Sequence, residues 1–331
     1  MPLRFNKRIS LGKFFKVNLG KSGASFSVGI PGAHFTTGTS GNRVTVGIPG
    51  TGLSYTQKLD EKKKRSKIKD SALPVSTASS PSSTSPLENE IISGLNALHN
   101  GDAATALGHF KKVSADEPGA AIMAAYLLAR QNENAKAIAL LEPIVKNDIK
   151  LPTPLMTQYM NDVRLEIAIT PNVSATLAAN ALAVALLLAE LYQNNDEVDK
   201  AISLLEEVDR NVDASPLTLS LCELYAGQDL WDEVIACAKK TENADDVTLE
   251  TLIWYGRAMQ EKGLQQAAAD VFTDALKKKK NRSPLLLREA MYWRAVSYHR
   301  MGNTAKAFGE FQKIYADDPD YRDVAMRVTK L

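Results

Sequence analysis

Hydrophobic and polar residues alternate with two different periods along the chain. In the first part, short segments alternate at every second position, as β-strands do; in the last two thirds, apolar residues recur every three or four positions, as in helices. This pattern predicts a multidomain α and β protein. Its parts are a Gly-rich β-sheet domain over 1–57, a linker over 58–86, an all-α body over 87–319 and a capping helix over 320–331.

Glycines recur every nine residues in the first of these parts. The motif Gly-x-x-Gly begins at Gly20, Gly29, Gly38 and Gly47, and an alternating five-residue segment follows each copy. Tight turns need a positive φ, which glycine adopts at the least cost. We therefore predict a meander of five short antiparallel strands that starts with Phe15–Leu19. A parallel solenoid with nine-residue rungs is the competing structure, and its calcium-binding form is excluded because the repeats contain no aspartate.

One face of the predicted meander is apolar. It consists of Val17, Leu19, Phe26, Val28, Phe35, Val44, Val46, Leu53 and Tyr55. Each such side chain is worth about 1.5–3 kcal/mol when fully buried, but a single sheet of this size buries only part of that surface. The segment Ile9–Phe14, the helical body or a second copy of the sheet must cover it. We favour self-association, because the linker composition predicts independent movement of the two parts.

Several motifs of the N-terminal part resemble a known bacterial family. They are Arg4-Phe5-x-Lys7, Leu11-Gly12, the run from Asn18 to Gly29 and the run from Gly47 to Tyr55. Taken in this order, they resemble the family called domain of unknown function 4236. The resemblance implies a bacterial protein and carries no activity with it.

A spacing of small residue, glycine, alanine and aromatic residue occurs three times in the helical body. The three copies are Gly94, Gly101, Ala106 and Phe110; Gly256, Gly263, Ala268 and Phe272; and Ala295, Gly302, Ala307 and Phe311. Small residues let two helices approach closely, the central glycine supplies the turn, and the aromatic ring fills the gap. The spacing resembles the tetratricopeptide repeat (TPR), a pair of antiparallel helices of about 34 residues. It implies a TPR-like solenoid.

Weaker copies of this spacing lie between the strong ones. They centre on Ala125 with Ala137, Ala189 with Ala201, and Tyr225 with Val234. No clean copy occurs near residues 150–194, so we expect an irregular insertion there. Within it we predict one helix over 151–169 and a long Ala/Leu-rich helix over 174–193.

Charge is distributed unevenly between the two ends. Residues 1–70 contain 14 Lys/Arg and three Asp/Glu, whereas the rest of the chain contains 26 and 35. Such a basic head can attract an anionic membrane surface or nucleic acid. The run Lys62–Lys69 has no interleaved aromatic residues for base stacking, so we favour a solvated linker over a binding site.

Composition excludes several classes of protein. No apolar run approaches the roughly 18 residues of a membrane span, and no secretory signal is visible. Two cysteines, Cys222 and Cys237, cannot form a disulfide scaffold and suit a reducing compartment, so we predict a cytoplasmic protein.

The chemistry-bearing residues predict neither catalysis nor a cofactor. The four histidines and two cysteines show no metal-ligand spacing, and no nucleophile–base motif is visible. Gly20-Lys-Ser-Gly23 is a turn rather than a phosphate loop, because its Gly-x-x-Gly recurs without the lysine. We therefore predict a non-enzymatic interaction scaffold. The alternative is an adaptor whose basic head (1–70) binds membrane or nucleic acid, and an enzyme with a dispersed site is the third possibility.

TPR-like proteins hold extended or helical partner segments on the surface lined by the first helix of each repeat. We therefore expect protein partners there, with homo-oligomers formed through the β-module. By position, this surface would include Tyr126, Arg130, Glu190, Glu223, Arg257, Gln260, Tyr292 and His299. A Lys/Asn clamp for a C-terminal carboxylate is absent from the matching positions.

Overall fold

The computed structural model describes residues 85–330 in full and, before them, the backbone of six strands. The strands are β1 (Lys7–Ser10), β2 (Phe15–Gly20), β3 (Gly23–Ile30), β4 (Ala33–Gly38), β5 (Arg43–Gly47) and β6 (Ser54–Lys58). Each pairs antiparallel with the next. Leu53 and the side chains of these six strands lie outside the described residues, so the five-strand meander and its apolar face stay predictions. Residues 59–84 of the predicted linker also lie outside them.

Most of the described chain is helical. The helices are α1 (Pro86–His99), α2 (Ala103–Val113), α3 (Pro118–Ala129), α4 (Asn134–Lys146), α5 (Pro154–Tyr159), α6 (Ala181–Gln193), α7 (Val198–Asp209), α8 (Ser215–Gly227), α9 (Trp231–Ala238), α10 (Asp246–Glu261), α11 (Gln265–Ala275), α12 (Pro284–Arg300), α13 (Thr304–Asp317) and α14 (Val324–Lys330). Except for α5 and α14, they follow one another as first and second helices joined by tight turns. The repeats predicted from strong and weak copies each correspond to one such pair.

Each tight turn passes through one residue in the left-handed conformation. The strong repeats use the predicted glycines, Gly101, Gly263 and Gly302, with φ of 81°, 78° and 75°. The weaker repeats use Asn132, Asp196 and Asp229 at φ of 60°, 60° and 56°. Asn and Asp tolerate this conformation because their short polar side chains bond locally. The sequence signal of these repeats is weaker because their turn residue is not glycine.

In two of the strong repeats a glycine lies against the aromatic ring of the second helix. A Cβ added to Gly94 would lie 2.7 Å from Phe110 Cε1, and one added to Gly256 would lie 2.5 Å from Phe272 Cε1. Both rings are fully buried. Close packing leaves no free volume for an extra methyl group at these positions, so the absence of a side chain sets the distance between the paired helices.

The insertion contains a β-hairpin in place of two predicted helices. After the short α5, β7 (Val163–Ala168) and β8 (Ser174–Ala178) lie side by side, β7 also pairs antiparallel with β6, and α6 begins only at Ala181. The helix predicted over 151–169 is therefore wrong except at α5, and the one predicted over 174–193 is confirmed only from Ala181 to Gln193. Burial alternates along β7, with Val163, Leu165 and Ile167 buried. This period of two was present in the sequence and outweighs helix propensity.

Contacts between Cα atoms divide the chain into two compact units. The first comprises 1–165 with 177–181, and the second comprises 166–176 with 182–331. In the second unit, the first helices α8 and α10 pack against each other, as do α10 and α12. Side chains from neighbouring first helices are thereby brought together within this unit.

We expect the Gly256→Ala variant to lose about 1–2 kcal/mol of unfolding free energy. The new methyl group would overlap the buried Phe272 ring, and this strain outweighs the roughly 1 kcal/mol of helix propensity that alanine adds. Chemical denaturation of the full chain, followed by circular dichroism, measures the change.

The matched control is Gly108→Ala, on the exposed side of α2, where an added Cβ has no atom within 4 Å. It should gain about 0.5–1 kcal/mol from helix propensity alone. Equal gains in both variants would show that the ring does not constrain Gly256.

Candidate partner-binding site

The structure separates the predicted partner residues into core and surface. Tyr126, Gln260 and Tyr292 are only 2%, 2% and 5% exposed, so they belong to the core and their assignment to the partner surface is wrong. Arg130, which caps α3, and His299, in the last turn of α12, are exposed. The half-buried members are Glu190, Glu223 and Arg257, all in the second unit.

Two of the buried residues hold neighbouring elements together. Gln260 Nε2 donates to the carbonyl of Trp293 at 2.7 Å and to Ser297 Oγ at 2.6 Å, which ties α10 to α12. The Tyr292 hydroxyl donates to Asp323 Oδ1 at 2.7 Å, just before α14. A buried polar group needs such partners to repay its lost hydration, and this explains why these side chains turn inward.

A glutamate that the sequence did not single out is held by two hydrogen bonds from the β-hairpin. Glu250, on α10, is 5% exposed and accepts hydrogen bonds from Thr170 Oγ1 at 2.7 Å and Asn172 Nδ2 at 3.0 Å, in the loop between β7 and β8. Burial raises the pKa of Glu250, and the two hydrogen bonds oppose that rise. The hairpin therefore fixes this side chain on the face of α10.

Glu223, on α8, differs from Glu250 because no hydrogen-bond donor among the described residues holds its carboxylate. Within residues 85–330 its carboxylate makes no hydrogen bond or ion pair, although the residue is half-buried. Burial raises its pKa to about 7, and the negative charges of Glu250 and Glu190 add to the effect. A carboxyl group that carries a proton close to neutral pH and has no internal partner can accept a cation or donate a hydrogen bond.

A cluster of aromatic and charged side chains lies between α12 and the segment before α14. Glu289 accepts hydrogen bonds from Trp293 Nε1 at 2.6 Å, from Arg322 at 2.6 Å and from the Tyr321 hydroxyl. Burial alone would raise the pKa of Glu289, but these three donors hold it below its ordinary value. This carboxylate is saturated by groups of the chain itself.

Arg257 lies beside this cluster without belonging to its hydrogen-bond network. Its guanidinium carbon is 4.6 Å from the centroid of the Trp254 ring and 4.7 Å from that of Trp293. Burial lowers the pKa of Arg257, against the attraction of Glu289. The two indole rings hold the guanidinium by cation–π contact. The sequence carried a signal for this arrangement in the spacing Glu-x3-Trp, which recurs at Glu250–Trp254 and Glu289–Trp293.

The cysteines lie on paired helices and are free thiols. Cys222 is buried in α8 at the small-residue position, and Cys237 is half-buried in α9. In the part of the chain that the structure describes, no three His, Cys, Asp or Glu side chains form a group that could hold a metal ion. None of the described helices is long and apolar enough to pass through a lipid bilayer.

Comparison with known proteins supports both resemblances found in the sequence. Residues 3–56 match the model of the family described as protein of unknown function (DUF4236), and residues 289–321 match the tetratricopeptide repeat. The second match covers the last strong repeat, which contains Ala295 and Phe311. No curated protein matches the chain.

Solved structures share the helical fold at low sequence identity. The N-terminal domain of the EccA1 ATPase from the ESX-1 secretion system of Mycobacterium tuberculosis is 16% identical, with 74% of this chain and 88% of that chain covered and a TM-score of 0.51. YrrB, described as a TPR protein with an unusual peptide-binding site, is also 16% identical, with 67% and 98% covered and a TM-score of 0.45. Together with the repeat match, the first of these identifies the helical part as TPR-like in fold.

We expect Glu223→Gln to stabilise the protein at pH 8 by about 1–3 kcal/mol and to have little effect at pH 5. A raised pKa means that the folded state holds its proton more tightly than the unfolded state. The stability linked to that proton is present at low pH and is lost as the pH rises from the unfolded value of 4.5 through about 7. Glutamine is neutral at every pH and avoids the loss. Unfolding titrations at both pH values measure the difference.

The control is Glu310→Gln, which removes a carboxylate that does have a partner. Glu310 pairs with Arg294, and the two side chains are 13% and 17% exposed. This variant should destabilise the protein by about 1–3 kcal/mol at pH 8. If Glu223→Gln is destabilising to the same extent, its carboxylate is not the unpaired group that the structure indicates.

Proposed function

We propose that the chain is a non-enzymatic protein–protein interaction scaffold. Its TPR-like part holds partner proteins on the first-helix face, by which we mean Glu223, Trp254, Arg257 and Trp293 on α8, α10 and α12. The β-module at the N-terminus provides self-association or docking. One observation carries the proposal: the first-helix face retains polar groups that have no partner within the described chain.

Other charged side chains of the same unit do have partners within the chain. Arg288 pairs with Asp317 and Asp318, Arg294 with Glu310, and Arg327 with Asp323. Half-burying a charge without a partner costs free energy. Folded proteins retain such groups mainly where a ligand completes them, so the exceptions, Glu223 and Arg257, support a binding role.

The basic head supports a second candidate, an adaptor that attaches to an anionic membrane surface or to nucleic acid. The observation in its favour is the excess of 14 Lys/Arg over three Asp/Glu in residues 1–70. Contacts with phosphate groups weaken steeply with salt. The scaffold is favoured because its unpartnered groups occupy defined positions in the fold, whereas the basic run Lys62–Lys69 lies outside the described residues.

We expect photo-crosslinking in the native host to trap partner proteins on the first-helix face. A crosslinking amino acid would replace Glu223 or Trp254 in the full chain. In the controls it would replace Gln266 or Gln312, which are exposed on the second helices α11 and α13. Mass spectrometry then identifies the trapped proteins. Partners trapped equally at second-helix positions would contradict the assignment of this face.

Strand register supports the self-association of the β-module. Val17 lies opposite Phe26, Val28 opposite Phe35, and Val46 opposite Tyr55. Cross-strand pairs of aromatic and β-branched residues stabilise a sheet on one face, and that face then needs a cover. We propose a second copy of the module as the cover.

We expect the full chain to be oligomeric and Phe35→Glu to make it monomeric. A buried carboxylate in the proposed contact has no partner to repay its lost hydration. Multi-angle light scattering gives the mass of each form. The control is Thr36→Glu, because adjacent strand residues point to opposite faces. A monomeric wild type would exclude self-association, and salt-sensitive retention of residues 1–70 on anionic liposomes would favour the adaptor.

A further inference from the structure

We propose that Arg257 and Trp254 form a binding site for a carboxylate group of a partner polypeptide. The site rests on the proposed function, because it names the chemistry that one part of the first-helix face recognises. It lies on α10, with the Trp293 ring of α12 as its second wall.

The first observation is a guanidinium that is held in place but has no acceptor. The rings of Trp254 and Trp293 lie 4.6 Å and 4.7 Å from its central carbon, and the residue is half-buried. Within residues 85–330, no hydrogen bond or ion pair engages its five N–H donors. The arginines from Arg288 onward differ, because each has a carboxylate within reach. They are Arg288, Arg294, Arg300, Arg322 and Arg327.

The second observation is an unpaired indole donor on one of the two rings that hold this guanidinium. Trp254 Nε1 is shielded from solvent and has no hydrogen-bond partner. The equivalent tryptophan on α12 is satisfied, because Trp293 Nε1 donates to Glu289 four residues earlier at 2.6 Å. On α10 the residue at that spacing is Glu250, whose carboxylate is turned to Thr170 and Asn172. The hairpin loop thus takes away the acceptor that the helix would otherwise offer to Trp254.

The nearby carboxylates do not fill the site. Glu289 already accepts from three donors, and Glu261 lies 3.8 Å from Arg300. Within the described chain, what remains without an acceptor is the planar N–H fork of Arg257, which rests on the ring of Trp254, whose own N–H is unpaired and shielded from solvent. A carboxylate matches such a fork because its two oxygens accept two parallel hydrogen bonds. The aromatic walls keep the guanidinium oriented, so little side-chain entropy is lost on binding.

A peptide titration tests the site with the full-length protein. The probes are four 12-residue peptides of Ala, Gln and Tyr. One has a central Glu and an amidated C-terminus, one has Gln and a free C-terminus, one has both carboxylates, and one has neither. Fluorescence anisotropy gives the affinity, and the ¹⁵N-labelled indole N–H signal of Trp254, assigned with Trp254→Phe, gives the location.

We expect at least one singly charged peptide to bind at least tenfold more tightly than the uncharged one and to shift the Trp254 signal. The first two peptides distinguish an acidic side chain from a chain terminus as the source of the carboxylate. Arg257→Gln should abolish the tenfold preference, and Arg257→Lys should retain only part of it, because lysine keeps the charge but loses the fork. Arg210→Gln, at an exposed arginine after α7, is the charge-matched control and should change nothing.

Two results would overturn the inference. One is equal affinity for all four peptides in the wild type, and the other is a preference that survives Arg257→Gln. Circular dichroism of each variant excludes unfolding as the cause of a loss. If photo-crosslinking still traps partners on the first-helix face, the scaffold function stands while the carboxylate site fails. If it traps none there, the scaffold function fails independently of the peptide result.

Discussion

The close approach of paired helices is the constraint on which the rest of the described structure depends. In the strong repeats a residue with little or no side chain faces a fully buried phenylalanine ring, as at Gly256 and Phe272. Because the ring takes the place of a missing side chain, the second helix fixes the rotation of the first. The residue after the small one, Arg257 or Glu223, is then directed about 100° around the first helix from the ring. Core packing thereby sets which side chains are available to a partner.

The same helical spacing gives opposite outcomes on α10 and α12 because of what surrounds it. Both helices carry Glu-x3-Trp, and on α12 the glutamate and tryptophan bond to each other. On α10 the β-hairpin supplies Thr170 and Asn172, which occupy Glu250 and leave the Trp254 N–H without an acceptor. The irregular insertion therefore does more than interrupt the repeats. It changes the hydrogen bonding of a regular repeat that follows it.

Local patterns in the sequence were enough to find the paired helices and their turns. Gly101, Gly263 and Gly302 were placed correctly because a left-handed turn between two apolar periods needs glycine. The hairpin is not evident in the sequence because its strands are only six and five residues long and contain Leu, Glu and Ala, which are also common in helices. The candidate site could be found only in part. Position in the repeat indicates Glu223 and Arg257, whereas whether a neighbouring helix covers a side chain, as with Tyr292 and Gln260, depends on packing between repeats.

The unpaired charges of the first-helix face cannot neutralise each other. Glu223 and Arg257 have opposite signs and lie on helices that pack together, yet no ion pair joins them among the described residues. Packed helices of this unit do form ion pairs elsewhere, as between Arg294 and Glu310, so the cause lies in the neighbours of each charge. Glu250 repels Glu223, and the indole rings hold Arg257 toward α12. A proton offsets the cost of burial at Glu223 and the two indole rings offset part of it at Arg257, so neither group is satisfied by the other. The folded chain is less stable for keeping Glu223 and Arg257 unpaired, and a surface that recognises a partner retains polar groups at such a cost.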